Sequence, residues 1–351
     1  MQAMKVSLVV VCHHSSRVLS HCVESFRREA AEVGAEAEVV AVEQSEDAAE
    51  LARVEAIGVD RLLERPNRGY AAGLNSGAAE ACGDLLLLAN PDIRFFSGSV
   101  GALLEGVNTG FDVVGPQFFW DDGGFVLLPP AEDPAPSAEL GRAIRRRSPR
   151  AWSASLSGTL DATWRLWTAN ETIPVAALRG ALLAVTGETL SRFGPFDEGY
   201  FLYYEETEWL WRARRRGARL GLAAGARVQH RWGHATGQSE GAAEREEASR
   251  RRFAARNYGG LWRRILRASG GAGRSPLDLI RLEDSDSFPE TESDLWLASP
   301  FPSLVPALGS VRSRALPTAF LEFCRTWRWV VASAVRDGGD WRIASAWTWG
   351  S

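Results

Sequence analysis

Lys5-Val6-Ser7-Leu8-Val9-Val10-Val11-Cys12 is an apolar, mostly β-branched run interrupted only by Ser7. Such a run is the mark of a strand buried on both faces. Working outward, Ser16 to Glu32 has the spacing of an amphipathic helix, and Ala37 to Val42 repeats the buried-strand pattern. Val59 to Leu63 is a third strand, Tyr70 to Cys82 a helix and Asp84 to Leu88 a fourth strand. Strand and helix alternate, which predicts an α/β fold with a mostly parallel, doubly wound sheet and ligands at the carboxyl ends of its strands. The polar groups fall at those ends: His13-His14, Glu43-Gln44, Asn67-Arg68 and Asn90-Pro91-Asp92.

A second informative stretch runs from Gly194 to Arg212. A Gly194-Pro195 turn leads through Phe196-Asp197-Glu198-Gly199-Tyr200-Phe201-Leu202-Tyr203-Tyr204 to Glu205, Glu206 and Glu208. Good helix formers continue to Arg216 and stop at Gly217, so the three carboxylates lie in a first helical turn. Unpaired amides and the helix dipole favour negative charge there. The aromatic approach shields these acids from water.

Composition sets limits. The 351 residues are 45% hydrophobic with a formal net charge of −4, enough for a core and wrong in sign for a nucleic-acid partner. Lys5 is the only lysine, so positive charge is nearly all arginine, as in a GC-rich bacterial genome. Cys12, Cys22, Cys82 and Cys324 have no metal or disulfide spacing and fit reduced cytosolic thiols. No apolar run is long enough to span a bilayer and the N-terminus does not read as a signal peptide. The expected location is cytoplasmic, with a peripheral membrane position open.

These motifs resemble the inverting family-2 glycosyltransferases of GT-A fold, above all the rhamnosyltransferase-like and galactofuranosyltransferase-like branches. The acidic block stands where that family has its acceptor-side motif, so the resemblance implies Glu206 as general base with Glu205 beside it. Asp197, Tyr203, Glu208 and Arg212 then belong to the acceptor side. Val11-Cys12-His13 and Glu43 take the positions that hold the nucleotide, with Glu43 where the family has Asp. Asn67, Gly69, Gly73 and Asn75 match its Asn-x-Gly-(Phe/Tyr)-x-x-Gly-x-Asn signature. Asn90-Pro91-Asp92 replaces its Asp-x-Asp, which implies Mg²⁺ or Mn²⁺ at Asp92 with His230 as a second ligand, His234 being a nearby alternative. Gly180 stands where a small residue lies under the donor sugar. The implied partners are a nucleotide diphosphosugar (dTDP- or UDP-linked) and a glycan, lipid-linked or small-molecule acceptor, with a homodimer open.

The remaining segments are read from pattern. Gly98 to Val107 is a helix and Phe111 to Phe119 a strand. Residues 120–172 read as an insertion, partly loop, with the basic run Arg142 to Arg150 either solvated or facing an anionic or lipid-phosphate acceptor. Ala176 to Thr186 is a strand, Gly187 to Phe193 a short helix, and Arg219–Ala223 and Ala226–His230 two short strands. Glu240 to Arg267 is one long helix. The glycosyltransferase domain is drawn as 1–268, a linker as 269–274, and a β-containing appendage as 275–351 ending in a hairpin around Asp337-Gly338-Gly339-Asp340. Two rival functions are a sugar-nucleotide nucleotidyltransferase, whose Gly-rich loop His13-His14-Ser15-Ser16 does not supply after the first strand, and a non-catalytic sugar-nucleotide-binding or scaffold protein with a decayed site.

Overall fold

The computed structural model describes residues 4–230, 241–268, 277–282, 288, 292–300, 304, 306–311, 316–325 and 330–348. The expected linker at 269–274 and His234 lie outside them. In chain order the elements begin β1 (Lys5–Cys12), α1 (Ser16–Glu32), β2 (Glu36–Glu43), α2 (Ala48–Ala56), β3 (Arg61–Glu64), α3 (Tyr70–Glu80), β4 (Leu85–Ala89), β5 (Ile93–Phe95), α4 (Ser99–Asn108) and β6 (Val113–Phe119). Two inserted helices follow, α5 (Pro136–Arg147) and α6 (Pro149–Trp167). Then come β7 (Ile173–Pro174), β8 (Leu182–Val185), α7 (Gly187–Phe193), α8 (Glu205–Arg215), β9 (Leu220–His230) and α9 (Ala242–Asn257). The tail adds α10 (Gly260–Ala268), β10 (Ile280–Arg281), β11 (Leu295–Ser299), β12 (Leu308–Ser310), α11 (Thr318–Arg325), β13 (Val330–Asp337) and β14 (Asp340–Thr348).

The chain divides into two compact units, one of residues 1–118 and 170–257, the other of 119–169 and 258–351. The first holds a nine-stranded sheet in the order β3-β2-β1-β4-β8-β6-β9-β5, with β7 beside β9. Strands β3, β2, β1 and β4 are parallel, as their uninterrupted apolar runs require, and β8 then runs antiparallel to β4. Along β1 every residue from Val6 to Cys12 is buried, Ser7 included. Ser7 is accommodated because its hydroxyl bonds Glu38, whose carboxylate also takes the Cys82 amide at 2.8 Å and the Lys5 ammonium at 3.3 Å. Burial pushes the Glu38 pKa up, but these donors together hold it below the usual carboxylate range.

Several boundaries differ from the sequence reading for identifiable reasons. Gly225 looked like a break between two strands, yet β9 is continuous through it; a Cβ there would lie 3.1 Å from that of Ala102, so the glycine lets α4 approach. The long C-terminal helix divides at Gly259-Gly260, where glycine carries its helix penalty. Of the strand expected over 176–186, only Leu182–Val185 pairs with the sheet. The insertion is more helical than expected: Pro136 and Pro149 each open a helix, where a missing N–H costs nothing.

In the second unit the insertion and the tail pack together, although the sequence reading separated them. Its sheet runs β10-β14-β13-β11-β12, and β13 and β14 form the antiparallel pair expected around Gly338-Gly339. Helix α6 lies against β14, with Trp164 and Trp341 ring centroids 5.2 Å apart and Arg336 paired to Asp161 at 3.0 Å. A Cβ on Gly309 would meet the Trp167 ring at 2.1 Å, so this glycine admits the indole.

Candidate active site

Strand β4 ends at Asn90-Pro91-Asp92, and the turn is held from two sides. The Asn90 amide donates to the Ala181 carbonyl at 2.9 Å, and the Tyr70 hydroxyl donates to Asn90 Oδ1 at 2.9 Å. Strand β5 starts immediately afterwards and pairs antiparallel with β9, with Ile93 opposite His230. That register brings the His230 Nε2 within 3.5 Å of Asp92 Oδ1. Among the described residues, neither Asp92 Oδ1 nor His230 Nδ1, both buried, has a hydrogen-bond partner. Burial lowers the imidazole pKa, and its electrostatic neighbours divide, Asp92 raising it and Arg179 lowering it further. A neutral imidazole next to a carboxylate is a fitting pair for a divalent cation. Among the described residues no group of three or more His, Cys, Asp or Glu side chains could hold a metal. Asp92 and His230 would therefore supply part of a coordination shell and leave the rest to substrate oxygens and water.

The acidic block reaches the same place from α8. Tyr203 and Tyr204 adopt left-handed backbone, φ 67° and 69°, immediately before the helix. Two consecutive non-glycine residues in this region cost energy that the surrounding packing has to hold. Tyr204 packs on Phe253 of α9 at 5.6 Å, and the Leu202 carbonyl accepts from Ser249 at 2.8 Å. The kink turns Glu205 inward, where it is buried and its Oε2 has no hydrogen-bond partner among the described residues. Glu206 lies against Gly180: a Cβ on that glycine would fall 2.1 Å from the Glu206 Cγ. Burial, reinforced by the neighbouring Glu206 charge, holds the Glu205 carboxyl well above its usual range. Burial raises Glu206 too, while the amides of Glu206 and Thr207 and the Arg179 charge pull it down. Tyr70 ties these groups together: burial raises its phenol, followed by the charges of Glu205, Glu206 and Asp92.

At the other strand ends, Val11 and Cys12 are buried and His13 is exposed. The Cys12 thiol is pushed up to about 12 by burial and then by Glu43, so it is inert. Glu43 accepts from the Ser45 amide at 2.6 Å through one oxygen, and the other is buried without a partner among the described residues. Asn67 accepts from the Gly69 amide at 3.2 Å. The next three residues of that signature brace the site. Gly69, at φ 96°, backs onto Phe201, whose carbonyl a Cβ would strike at 2.3 Å and which accepts from Tyr70 N–H at 2.9 Å. Gly73 admits Val11, and Asn75 makes a reciprocal amide pair with the Phe196 backbone at 2.9 and 3.0 Å.

On the acceptor side, Asp197 is engaged by Arg252 at 3.3 Å and by Arg256. Glu208 and Arg212 pair at 3.1 Å, and the guanidinium also donates to the Phe193 and Pro195 carbonyls. These three side chains secure the ends of the acidic block, and Tyr203 is partly exposed beside them. Sequence reasoning missed Tyr70 and Arg179. Tyr70 lay inside a motif read for its glycines; Arg179 was visible as the residue before Gly180 but had no period or spacing to mark it.

Residues 7–178 match the family model described as Glycosyl transferase family 2. The N-acetylglucosaminyl-diphospho-decaprenol L-rhamnosyltransferase of Mycobacterium tuberculosis is 28% identical over 230 residues, 57% of this chain and 68% of that protein. The low-salt glycan biosynthesis hexosyltransferase Agl10 of Haloferax volcanii is 26% identical over 160 residues, 44% of this chain. The match spans about half of that protein, 46% of its length. Among solved structures, GalNAc-T7 with UDP, GalNAc and Mn²⁺ aligns with TM-score 0.47 at 17% identity over 65% of this chain and 43% of its own. A mannosyltransferase of Pyrobaculum calidifontis with GDP-Man and Mn²⁺ aligns at 0.46 and 14%, over 76% and 69%.

Proposed function

We propose that the chain is a family-2 glycosyltransferase, a reading the match of residues 7–178 to that family model supports, and that it moves a sugar from a nucleotide diphosphosugar to an acceptor hydroxyl in one inverting displacement. The observation that carries this is the meeting of Asp92, His230, Glu205, Glu206 and Tyr70, from four separate chain segments, with unpartnered oxygens and a neutral imidazole. In this reading a Glu206 oxygen takes the acceptor O–H proton. The acceptor oxygen bonds to the anomeric carbon as the carbon–oxygen bond to phosphate breaks, and that electron pair leaves with the diphosphate. Arg179 stabilises the developing negative charge, and Glu43 offers its unpartnered oxygen to an N–H of a uracil or thymine base. Asp92 and His230 would hold a Mg²⁺ or Mn²⁺ ion, which when bound neutralises diphosphate charge. Tyr203 lines the approach of the acceptor, a glycan, lipid-linked precursor or small molecule.

The test pairs binding with turnover. A dTDP-, UDP- or GDP-linked donor that raises the melting temperature should be consumed by the wild-type chain and not by Glu206→Gln, with binding retained. Stabilisation by no nucleotide, with or without Mn²⁺, supports the scaffold reading instead.

A further inference from the structure

Helices α5 and α10 pack against each other in the second unit, and none of their described side chains is buried. Their sequences hold seven arginines and a single glutamate, in a chain whose net charge is −4. That glutamate, Glu139, accepts from the Tyr258 hydroxyl at 2.9 Å. The arginines crowd one another: burial and then the neighbouring Arg142 charge lower the Arg145 pKa, and among the described residues the covered Nε atoms of Arg145 and Arg263 have no hydrogen-bond partner. Apolar side chains stand among these charges. Leu261 is 72% exposed, the most of any large apolar side chain among the described residues, and Ile144 is 45% exposed. On α10, Leu261 is three residues from exposed Arg264; on α5, Ile144 is three from exposed Arg147, so each helix turns an apolar residue and an arginine to the same side.

We propose that the outer face of α5 and α10 docks on an anionic lipid surface, with Arg146, Arg147 and Arg264 at the phosphates and Leu261 and Ile144 entering the interface. A basic helix face with exposed apolar side chains is the pattern of interfacial association, and each arginine near an anionic leaflet adds to it. A soluble acidic partner would be matched by the arginines but not by the exposed apolar residues beside them. The assignment stands independently of the transfer chemistry.

Vesicle sedimentation of the full chain tests it. Vesicles with about a third phosphatidylglycerol should bind at least ~10-fold more tightly than phosphatidylcholine vesicles, and the difference should fall as salt rises. The triple variant Arg146→Glu, Arg147→Glu, Arg264→Glu should lose at least ~10-fold of that affinity. Leu261→Ser should lose roughly 3–10-fold. Because Leu261 is 72% exposed, the melting temperature of Leu261→Ser should stay as in the wild type, and both variants should keep the nucleotide-induced shifts. Equal binding to both vesicle types, no binding to either, a triple variant that binds like the wild type, or retention by heparin without vesicle binding would each overturn the proposal.

Discussion

The Glu206 Cγ lies 2.1 Å from where a Cβ on Gly180 would fall, so the position of the proposed base depends on one missing methyl group. Gly180→Ala is expected to displace the carboxylate and to lower kcat by about 10²-fold, because small misplacements of a reacting group are that costly. The near-native circular dichroism of the variant would separate this from unfolding. Glu206→Gln should lower kcat by about 10²–10⁴-fold while the donor KM changes little. Since burial raises the Glu206 pKa, and the base works deprotonated, the acid limb of the kcat profile should lie above the ordinary carboxylate range. A limb at the pKa of a free glutamate would place the base elsewhere. Glu205 has a different pH signature. Its folded pKa lies above the unfolded value, so its contribution to stability is fullest below the unfolded pKa and is lost as pH rises through the folded one. Glu205→Gln should therefore raise the melting temperature at pH 8, and the gain should disappear under acid conditions.

At the scale of elements, the acidic block is held by helices rather than by its own turn. Asn75 of α3 bonds the Phe196 backbone in both directions, Arg252 and Arg256 of α9 hold Asp197, and Arg212 of α8 reaches the Phe193 and Pro195 carbonyls. Removing the Asn75 amide strands two backbone groups. Asn75→Ala is expected to cost about 1–3 kcal/mol in urea unfolding, with faster proteolysis between residues 194 and 204. The motif around Asn67 to Asn75 was legible as a ligand signature, yet side-chain geometry gives three of its members bracing work. Sequence spacing reveals that residues recur together; it does not distinguish touching a ligand from holding the loop that does.

For the molecule as a whole, the second unit couples segments nearly two hundred residues apart in the chain. Trp341, 4% exposed, lies against Trp164, and Ser157 takes part through hydrogen bonds to Asp340 and the Trp341 amide. Trp341→Ala should destabilise this unit by about 3–5 kcal/mol, and hydrogen exchange should then rise in residues 149–167 as well as in the hairpin. Unchanged exchange in α6 would refute the shared core. The parallel half of the first sheet, its helices and the hairpin were readable beforehand, because strand burial and turn chemistry leave local periodic signals. The joining of insertion and tail was not, since contacts between distant segments leave no period in either.

The chain's residues alone determined the alternating α/β order, the polar strand ends and the acidic first turn of α8. Those are consequences of local hydrophobic period, breakers and capping, which each short stretch carries in itself. Tertiary structure decided that Ile93 pairs with His230, that Gly180 makes room for Glu206, and that Arg179 and Tyr70 both come near Glu206. Strand register and side-chain packing arise from the whole fold at once, and a few tenths of a nanometre there separate a cluster of acids from a site that can move a proton.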